Sequence, residues 1–161
     1  MKIPVMLNEV LTVLDEDPAV SLLHVLRKNG QLSAKCGCPQ GHCGSCTVLL
    51  DDRAVASCII PLTVVRDATI VTLEHFSKRP EYALIMDSFS KAGIRLCGYC
   101  NAGKILATYN LISSWGRPSR QQVCDTVRHL GCPCTERDSL VQGVMYAVAA
   151  FQSAQGRRRG R

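Results

Sequence analysis

The stretch KCGCPQGHCGSCTVLLDDRAVASC, residues 35–58, decides the fold of the first half of the chain. Four of its cysteines follow the pattern C-x4-C-x2-C-x11-C, and they are Cys38, Cys43, Cys46 and Cys58. Four thiolates can converge here only if the chain wraps a small volume and turns backbone N–H groups towards the sulfurs. Gly37, Gly41 and Gly44 allow this wrapping because glycine adopts positive φ angles without steric cost. The loop is therefore predicted to surround a metal centre.

The cysteine spacing in this loop is the plant-type spacing of a 2Fe-2S cluster. Four cysteines also hold tetrahedral zinc, but zinc sites commonly use paired C-x2-C knuckles, and the gap between Cys38 and Cys43 does not match one. A Rieske centre requires two histidine ligands, whereas His42 is the only histidine in the loop. Cys36 does not fit the ligand spacing and is interpreted as a neighbour. The leading prediction is a 2Fe-2S cluster, with zinc as the alternative.

The second half of the chain contains another group of four cysteines. They form a C-x2-C pair, Cys97 and Cys100, and a C-x-C pair, Cys132 and Cys134. Residues 101–130 are predicted to form two helices that run out and back, which brings both pairs to one end of a bundle. The alternative is a redox-active dithiol at residues 97–100, but this half lacks the βαβ context of thioredoxin-type motifs. The remaining Cys124 is predicted to be a small buried apolar residue.

Apolar patterning predicts a mixed sheet with one helix, followed by a helical half. The expected strands are residues 3–7, 10–14, 47–50, 54–57 and 68–73, with hairpin turns at residues 8–9 and 51–53. Asp17-Pro18 is typical of a helix start and Asn29-Gly30 of its end. The later helices are expected at residues 80–92, 103–114, 119–130 and 139–152. Ser119 with Gln122 is a capping-box signature. These patterns divide the chain into domains at residues 1–77 and 78–155 and a basic flexible tail at residues 156–161.

The overall composition limits the class of protein. The chain has 161 residues, 47% hydrophobic content and a formal charge of +6. Four positive charges are arginines at residues 157–159 and 161, and the remaining charge of +2 argues against a nucleic-acid binder. No apolar run suits a membrane span or a secretory signal, so we expect no membrane association and a cytoplasmic location. Ten cysteines in a reducing compartment indicate metal binding or redox chemistry.

The two cysteine groups, taken in this order, resemble a known family. A plant-type 2Fe-2S loop followed by helices with C-x2-C and C-x-C pairs is similar to the small iron–sulfur subunit of the molybdenum hydroxylases, the xanthine dehydrogenase and aldehyde oxidase family. The resemblance covers roughly residues 2–150. Its closest stretches are residues 37–49, Ser57-Cys58, Thr72-Leu73-Glu74, residues 97–100 with Gly103, and Cys132, Cys134 and Thr135.

The resemblance implies a fold and a set of cofactors. The expected fold class is α+β, with an N-terminal plant-type ferredoxin-like β-grasp domain followed by an all-α four-helix-bundle domain. Each domain is expected to hold one 2Fe-2S cluster. The implied ligands are Cys38, Cys43, Cys46 and Cys58 in the first domain, and Cys97, Cys100, Cys132 and Cys134 in the second.

The resemblance also implies a function as an electron-transfer subunit. In the family, electrons pass from a molybdopterin-binding large subunit through the helical-domain cluster and the ferredoxin-like cluster to an FAD-binding medium subunit. The chain is therefore expected to belong to a hetero-oligomer that oxidises a purine, aldehyde or N-heterocycle, with no catalytic residue of its own. Two alternatives come from other classes, namely a zinc-stabilised binding module that uses the arginine tail on nucleic acid, and a stand-alone ferredoxin.

Some residues around the second group depart from the family pattern. The family usually has Gln where this chain has Leu96, and Arg where it has Pro133. In the family this edge abuts the molybdopterin, and Cys134 matches the cysteine that lies near the pterin amino group. Pro133 removes both a cation and a backbone donor from this edge. The contact to the molybdopterin-bearing partner is therefore expected to differ from the family pattern.

Overall fold

The computed structural model describes residues 1–130 and 132–159, with residues 157–159 described by their backbone alone. The strands are β1 Lys2–Leu7, β2 Val10–Asp15, β3 Thr47–Leu50, β4 Arg53–Ala56 and β5 Thr69–Val71. They form one mixed sheet in the order β2-β1-β5-β3-β4. The α-helices are α1 Leu22–Lys28, α2 Leu73–Phe76, α3 Pro80–Lys91, α4 Asn101–Trp115, α5 Arg120–Arg128 and α6 Arg137–Arg159. A sheet followed by helices confirms the predicted α+β class.

Both predicted hairpins are present. Asn8 and Glu9 connect β1 to β2 with φ angles of 52° and 68°, and Asp51 and Asp52 connect β3 to β4 with 47° and 64°. Two successive residues with positive φ make a tight turn whose twist matches the flanking strands. Asn and Asp adopt this conformation more readily than most residues. The second turn is one residue shorter than predicted because Arg53 already belongs to β4.

The helix that packs on the sheet, α1, begins later than predicted. Its N-cap is Ser21, whose Oγ accepts a hydrogen bond from the His24 N–H. Asp17 was the expected cap, but its Oδ1 accepts a hydrogen bond from the Ala19 N–H at 2.8 Å and closes a turn ahead of the helix. The helix ends at Asn29, as predicted. Its apolar face shares one buried core with β1 and β3.

The second half packs α3, α4, α5 and α6 into a bundle, and the short α2 links them to the sheet. The predicted capping box is confirmed, because Ser119 Oγ accepts from the Gln122 N–H and the Gln122 side chain accepts from the Ser119 N–H at 2.7 Å. The bundle core contains Phe89, Ile105 and Val144, all fully or almost fully buried. None of the described helices is both long and apolar enough to cross a membrane.

The last helix is longer than the sequence pattern predicted. We expected it to span residues 139–152 and to be followed by a flexible tail at residues 156–161, whereas the backbone of α6 is helical through Arg159. A helix that is already nucleated extends at little cost, and arginine has a high helix propensity, so the arginines prolong α6. Gly160 and Arg161, the end of the expected tail, lie outside the described residues.

The sheet unit and the helical unit pack against each other along α4. Leu49 of β3 and Val71 of β5 belong to the buried core of the helical bundle. The side-chain oxygen of Asn110 accepts a hydrogen bond from the Ala54 N–H at 2.9 Å, which ties α4 to β4. The first residues of α4, just after Cys100, lie beside the first cysteine loop, because Gly103 closely approaches the backbone of Gly44.

Candidate metal centres

The first cysteine loop directs backbone N–H groups at the sulfur of Cys38. The His42 and Cys43 N–H groups donate to Cys38 Sγ at 3.2 Å and 3.3 Å. Hydrogen bonds from the backbone of Gln40, Cys43 and His42 lower the pKa of Cys38 to about 6. Cysteine sulfurs that bind iron–sulfur clusters accept hydrogen bonds of this kind, and these bonds help to set the reduction potential of the cluster.

The other three cysteines of the first group adjoin Cys38. Burial, the neighbouring Cys46 thiol and, to a smaller extent, the charge of Cys38 together raise the pKa of Cys58 to about 11. The Cys43 side chain also lowers the pKa of Cys38. The Ser57 hydroxyl donates to the Cys46 carbonyl at 2.7 Å and so holds the turn that carries Cys58. The structure therefore brings together all four cysteines of the plant-type motif.

The glycines of this loop have two different roles. Gly41 and Gly44 have φ angles of +77° and +74°, as predicted for a chain that wraps a centre. Gly37 was predicted to share this role, but its φ is not positive. A Cβ at Gly37 would instead lie 2.7 Å from Cys43 Sγ and 2.7 Å from Ser45 Oγ. Gly37 is therefore required because the backbone passes too close to a ligand candidate for a side chain to fit.

The segment before the first loop is anchored by the Thr72-Leu73-Glu74 stretch. The Glu74 carboxylate accepts hydrogen bonds from the Ser33 hydroxyl and, at 2.7 Å, from the Ser33 N–H. Burial would raise the pKa of Glu74, but these donors outweigh burial and lower it. The Thr72 hydroxyl donates to Gln31 at 2.9 Å and accepts from Asn8 at 3.0 Å. The chain thus enters the loop from a fixed position.

The second group of cysteines also converges. Cys100 Sγ lies 3.4 Å from Cys132 Sγ. The Tyr99 N–H and the neighbouring Cys134 thiol lower the pKa of Cys97, and Cys97 in turn raises the pKa of Cys134. Cys97 and Cys100 precede α4, whereas the other two lie between α5 and α6, as the out-and-back arrangement of helices predicted. The structure therefore brings these four cysteines to one end of the bundle.

A lysine that the sequence analysis missed lies against this second group. Lys104 is 1% exposed, and its Nζ is 2.9 Å from Cys132 Sγ and 2.7 Å from Thr135 Oγ1. Burial would raise the pKa of Cys132, but hydrogen bonds involving Lys104 and Cys100 lower it to about 7. The sequence does contain a signal for this contact, because Lys104 follows Cys100 by one helical turn and lies among apolar residues of the same helix.

The two remaining cysteines, Cys36 and Cys124, are not among the predicted ligands. The Cys36 thiol is exposed, and the Cys36 carbonyl accepts a hydrogen bond from the Tyr99 hydroxyl at 2.9 Å. Cys124 packs against the helical core as predicted, but it is half-buried rather than buried. All ten cysteines lie in the described part of the chain, and none of them forms a disulfide bond there. Within that part, no three His, Cys, Asp or Glu side chains are placed to surround a single metal ion. A 2Fe-2S cluster does not need such an arrangement, because it divides its four cysteine ligands between two irons.

Comparison with known proteins identifies both cysteine groups as parts of established domains. Residues 5–70 match the family described as a 2Fe-2S iron–sulfur cluster binding domain. Residues 72–145 match a second family, also described as a 2Fe-2S binding domain. The chain is therefore an iron–sulfur protein with two 2Fe-2S clusters, which favours the predicted clusters over the zinc alternative.

The relatives narrow this class to one family. The nicotinate dehydrogenase small FeS subunit of Eubacterium barkeri is 32% identical, and the match covers 82% of this chain and 85% of that one. The xanthine dehydrogenase iron–sulfur-binding subunit of Escherichia coli O157:H7 is also 32% identical, with 80% and 82% covered. In the structure of quinoline 2-oxidoreductase from Pseudomonas putida 86, one chain aligns with a TM-score of 0.82 at 29% identity, with 94% and 96% covered. The chain belongs to the small iron–sulfur subunits of the molybdenum hydroxylases, a family of oxidoreductases, and serves electron transfer.

Some relatives are much longer than this chain. The chain spans 10% of the length of aldehyde oxidase 2 from Cavia porcellus, to which it is 32% identical. The same two-domain iron–sulfur unit therefore occurs both as a separate subunit and as a part of larger polypeptides.

Proposed function

We propose that this chain relays electrons from a molybdopterin-binding large subunit to an FAD-binding medium subunit, within a cytoplasmic hetero-oligomer. The large subunit would oxidise a purine, an aldehyde or an N-heterocycle. The proposed ligands are Cys38, Cys43, Cys46 and Cys58 in a domain of residues 1–77, and Cys97, Cys100, Cys132 and Cys134 in a domain of residues 78–155. When bound, each cluster accepts one electron and passes it on.

The observation that carries this proposal is the direct contact between the two cysteine loops. Tyr99 lies between two proposed ligands of the second group, and its hydroxyl donates to the Cys36 carbonyl at 2.9 Å. The Tyr99 ring also packs over Gly37, where an added Cβ would lie 3.5 Å from a ring carbon. A single side chain therefore spans the distance between the two ligand sets. This closeness supports a relay between the sets rather than two independent sites.

Both ligand sets have an edge that a partner subunit could approach. In the second set the Cys97 and Cys134 thiols are exposed, whereas Cys100 is buried. Cys134 is the proposed contact to the molybdopterin, by its place in the family motif. In the first loop Gln40 and His42 are exposed. Electrons could therefore enter at one edge of the chain and leave at another without crossing its core.

The purified chain is expected to contain four iron atoms and four sulfides, because each 2Fe-2S cluster uses four cysteine ligands. Protein made under iron-sufficient, anaerobic conditions should be brown and should bleach with dithionite. Colorimetric iron and sulfide assays, with zinc measured in the same sample, check this result. Stoichiometric zinc in place of iron would contradict the proposal, and two irons per chain would show that one set does not bind a cluster.

The partners can be tested in the native complex. We expect the untagged chain, isolated anaerobically from its source, to co-purify with molybdenum and flavin, and both cluster signals to be reduced when the substrate of the complex is added. The control is the isolated chain, which should be reduced by dithionite but not by the substrate. An isolated monomer that carries both clusters but no molybdenum or flavin would favour the stand-alone ferredoxin.

A further inference from the structure

A buried cation lies at the second ligand set. Lys104 in α4 is 1% exposed, although its side chain carries a charge at neutral pH. Its ammonium group contacts Cys132 Sγ at 2.9 Å and Thr135 Oγ1 at 2.7 Å. A buried charge is costly unless it is paired with an opposite charge and hydrogen-bonded. We therefore expect a negatively charged group beside the ammonium group of Lys104.

This negatively charged group is not a carboxylate. Several ion pairs occur in the described part of the chain, and none of them includes Lys104. The nearest candidates are sulfurs, because Cys132 is in direct contact and Cys100, the N-cap residue of α4, lies four residues before Lys104. A neutral thiol is a weak acceptor, whereas a metal-bound thiolate carries negative charge. The buried lysine thus matches a site in which these cysteines are cluster ligands.

We propose that Lys104 raises the reduction potential of the helical-unit cluster through a charged hydrogen bond to the Cys132 sulfur. Net charge and hydrogen bonds to the sulfurs set the potentials of such clusters. Reduction adds one negative charge, and a nearby ammonium group stabilises the reduced state more than the oxidised state. Lys104 acts through a ligand and is therefore a tuning residue. This inference rests on the proposed ligand set.

Lys104 also supplies a positive charge near position 133, where the family usually has Arg and this chain has Pro133. Pro133 lies between two proposed ligands and supplies neither a cation nor a backbone donor. Lys104 reaches one of these two ligands, Cys132, from α4, and it is buried. A positive charge is thus present at this centre, but it is shielded from solvent and from any partner that covers the exposed Cys134. Salt screens a buried pair of this kind much less than an exposed one.

Replacement of Lys104 tests the proposal directly. Redox titration of the purified chain, followed by electron paramagnetic resonance, reports the two clusters separately. We expect Lys104→Met to lower the equilibrium constant for reduction of the helical-unit cluster at least tenfold, which is about 59 mV for a one-electron couple. Lys104→Arg should restore most of the potential because it keeps the charge. The signal of the first cluster should move far less in either variant.

The matched control is Lys91→Met, because Lys91 is exposed and pairs with Asp87 on α3. It should leave both potentials unchanged. If Lys104→Met does not bind the second cluster, Lys104→Gln takes its place, because glutamine keeps a hydrogen-bond donor without the charge. The reduction potential of the helical-unit cluster should then be lower in Lys104→Gln than in the wild type. Equal potentials in the wild type and the neutral variants would overturn the role of Lys104. Absence of the second cluster signal from the wild type would instead overturn the proposed function.

Discussion

Replacing Cys38 with alanine is expected to remove half of the iron and half of the sulfide from the purified chain. Cys38 Sγ accepts hydrogen bonds from the His42 and Cys43 N–H groups, so the loop is built around this sulfur. A 2Fe-2S cluster needs four protein ligands, and the Cys38→Ala variant leaves one iron without its thiolate. Iron and sulfide analysis, together with electron paramagnetic resonance, should show the loss of the plant-type signal alone.

The matched control for this experiment lies two residues away. Cys36→Ala removes an exposed thiol from the same loop and should leave the iron content unchanged. Cys124→Ala removes a half-buried thiol that packs against the helical core and should also retain both clusters. Half of the iron lost in Cys36→Ala, with full retention in Cys38→Ala, would show that the ligand register is wrong. Loss of both signals in Cys38→Ala would show that the two centres do not assemble independently.

The sequence predicted those features that depend on neighbouring residues. Turn residues at positions 8–9 and 51–52 specify both hairpins, and the Ser119 capping box specifies the start of α5. Cysteine spacing predicted both thiol groups because ligands of one centre must lie close together. In each case the deciding information lies within a few residues of the feature that it determines.

The first residue of α1 could not be predicted from the local sequence alone. Asp17-Pro18 and Ser21 are both acceptable helix starts by composition. The structure uses Ser21 because the Leu22 N–H donates to the Ile60 carbonyl at 2.7 Å, a contact with a distant part of the chain. The sequence pattern contains no information about this contact. A tertiary hydrogen bond therefore selects between two local signals of similar strength.

The contact between Lys104 and Cys132 was not predicted, because it too depends on a distant part of the chain. This contact joins α4 to Cys132, 28 residues away, and it depends on how α5 returns the chain to the end of the bundle. From the sequence alone, a lysine within a helix is most simply an exposed residue. Gly37 shows the same limit, because its glycine is required by a sulfur from Cys43 rather than by its own φ angle. Both residues are explained by three-dimensional proximity to a proposed ligand.

Gly103→Ala is expected to separate the two units and to destabilise the chain. A Cβ at Gly103 would lie 2.6 Å from the Gly44 carbonyl oxygen and 3.0 Å from its Cα. Gly44 cannot easily move, because its φ is +74° and its carbonyl accepts hydrogen bonds from the Thr47 hydroxyl and N–H at 2.7 Å and 3.1 Å. Overpacking of this kind costs about 1–3 kcal/mol. Alanine recovers only about 1 kcal/mol through its higher helix propensity.

The clash has a functional consequence because it lies between the two ligand sets. Gly44 follows Cys43 in the first loop, and Gly103 is three residues after Cys100. Relief of the clash must therefore shift α4 away from the loop and lengthen the path between the sets, including the Tyr99 contact. Denaturant unfolding of the apo and cluster-loaded forms should show a lower midpoint in Gly103→Ala. Magnetic coupling between the two reduced clusters should weaken.

Gly156→Ala is the matched control for Gly103→Ala. Gly156 is also a helical glycine, but outside its own turn of helix no described atom lies within 4 Å of the Cβ that would be added there. This substitution should leave the cluster coupling unchanged and should hold or slightly raise the unfolding midpoint, because alanine favours the helix. A Gly103→Ala variant with wild-type stability and coupling would show that the loop and α4 adjust without strain. In that case the close approach of the two backbones would not fix the distance over which electrons pass between the clusters.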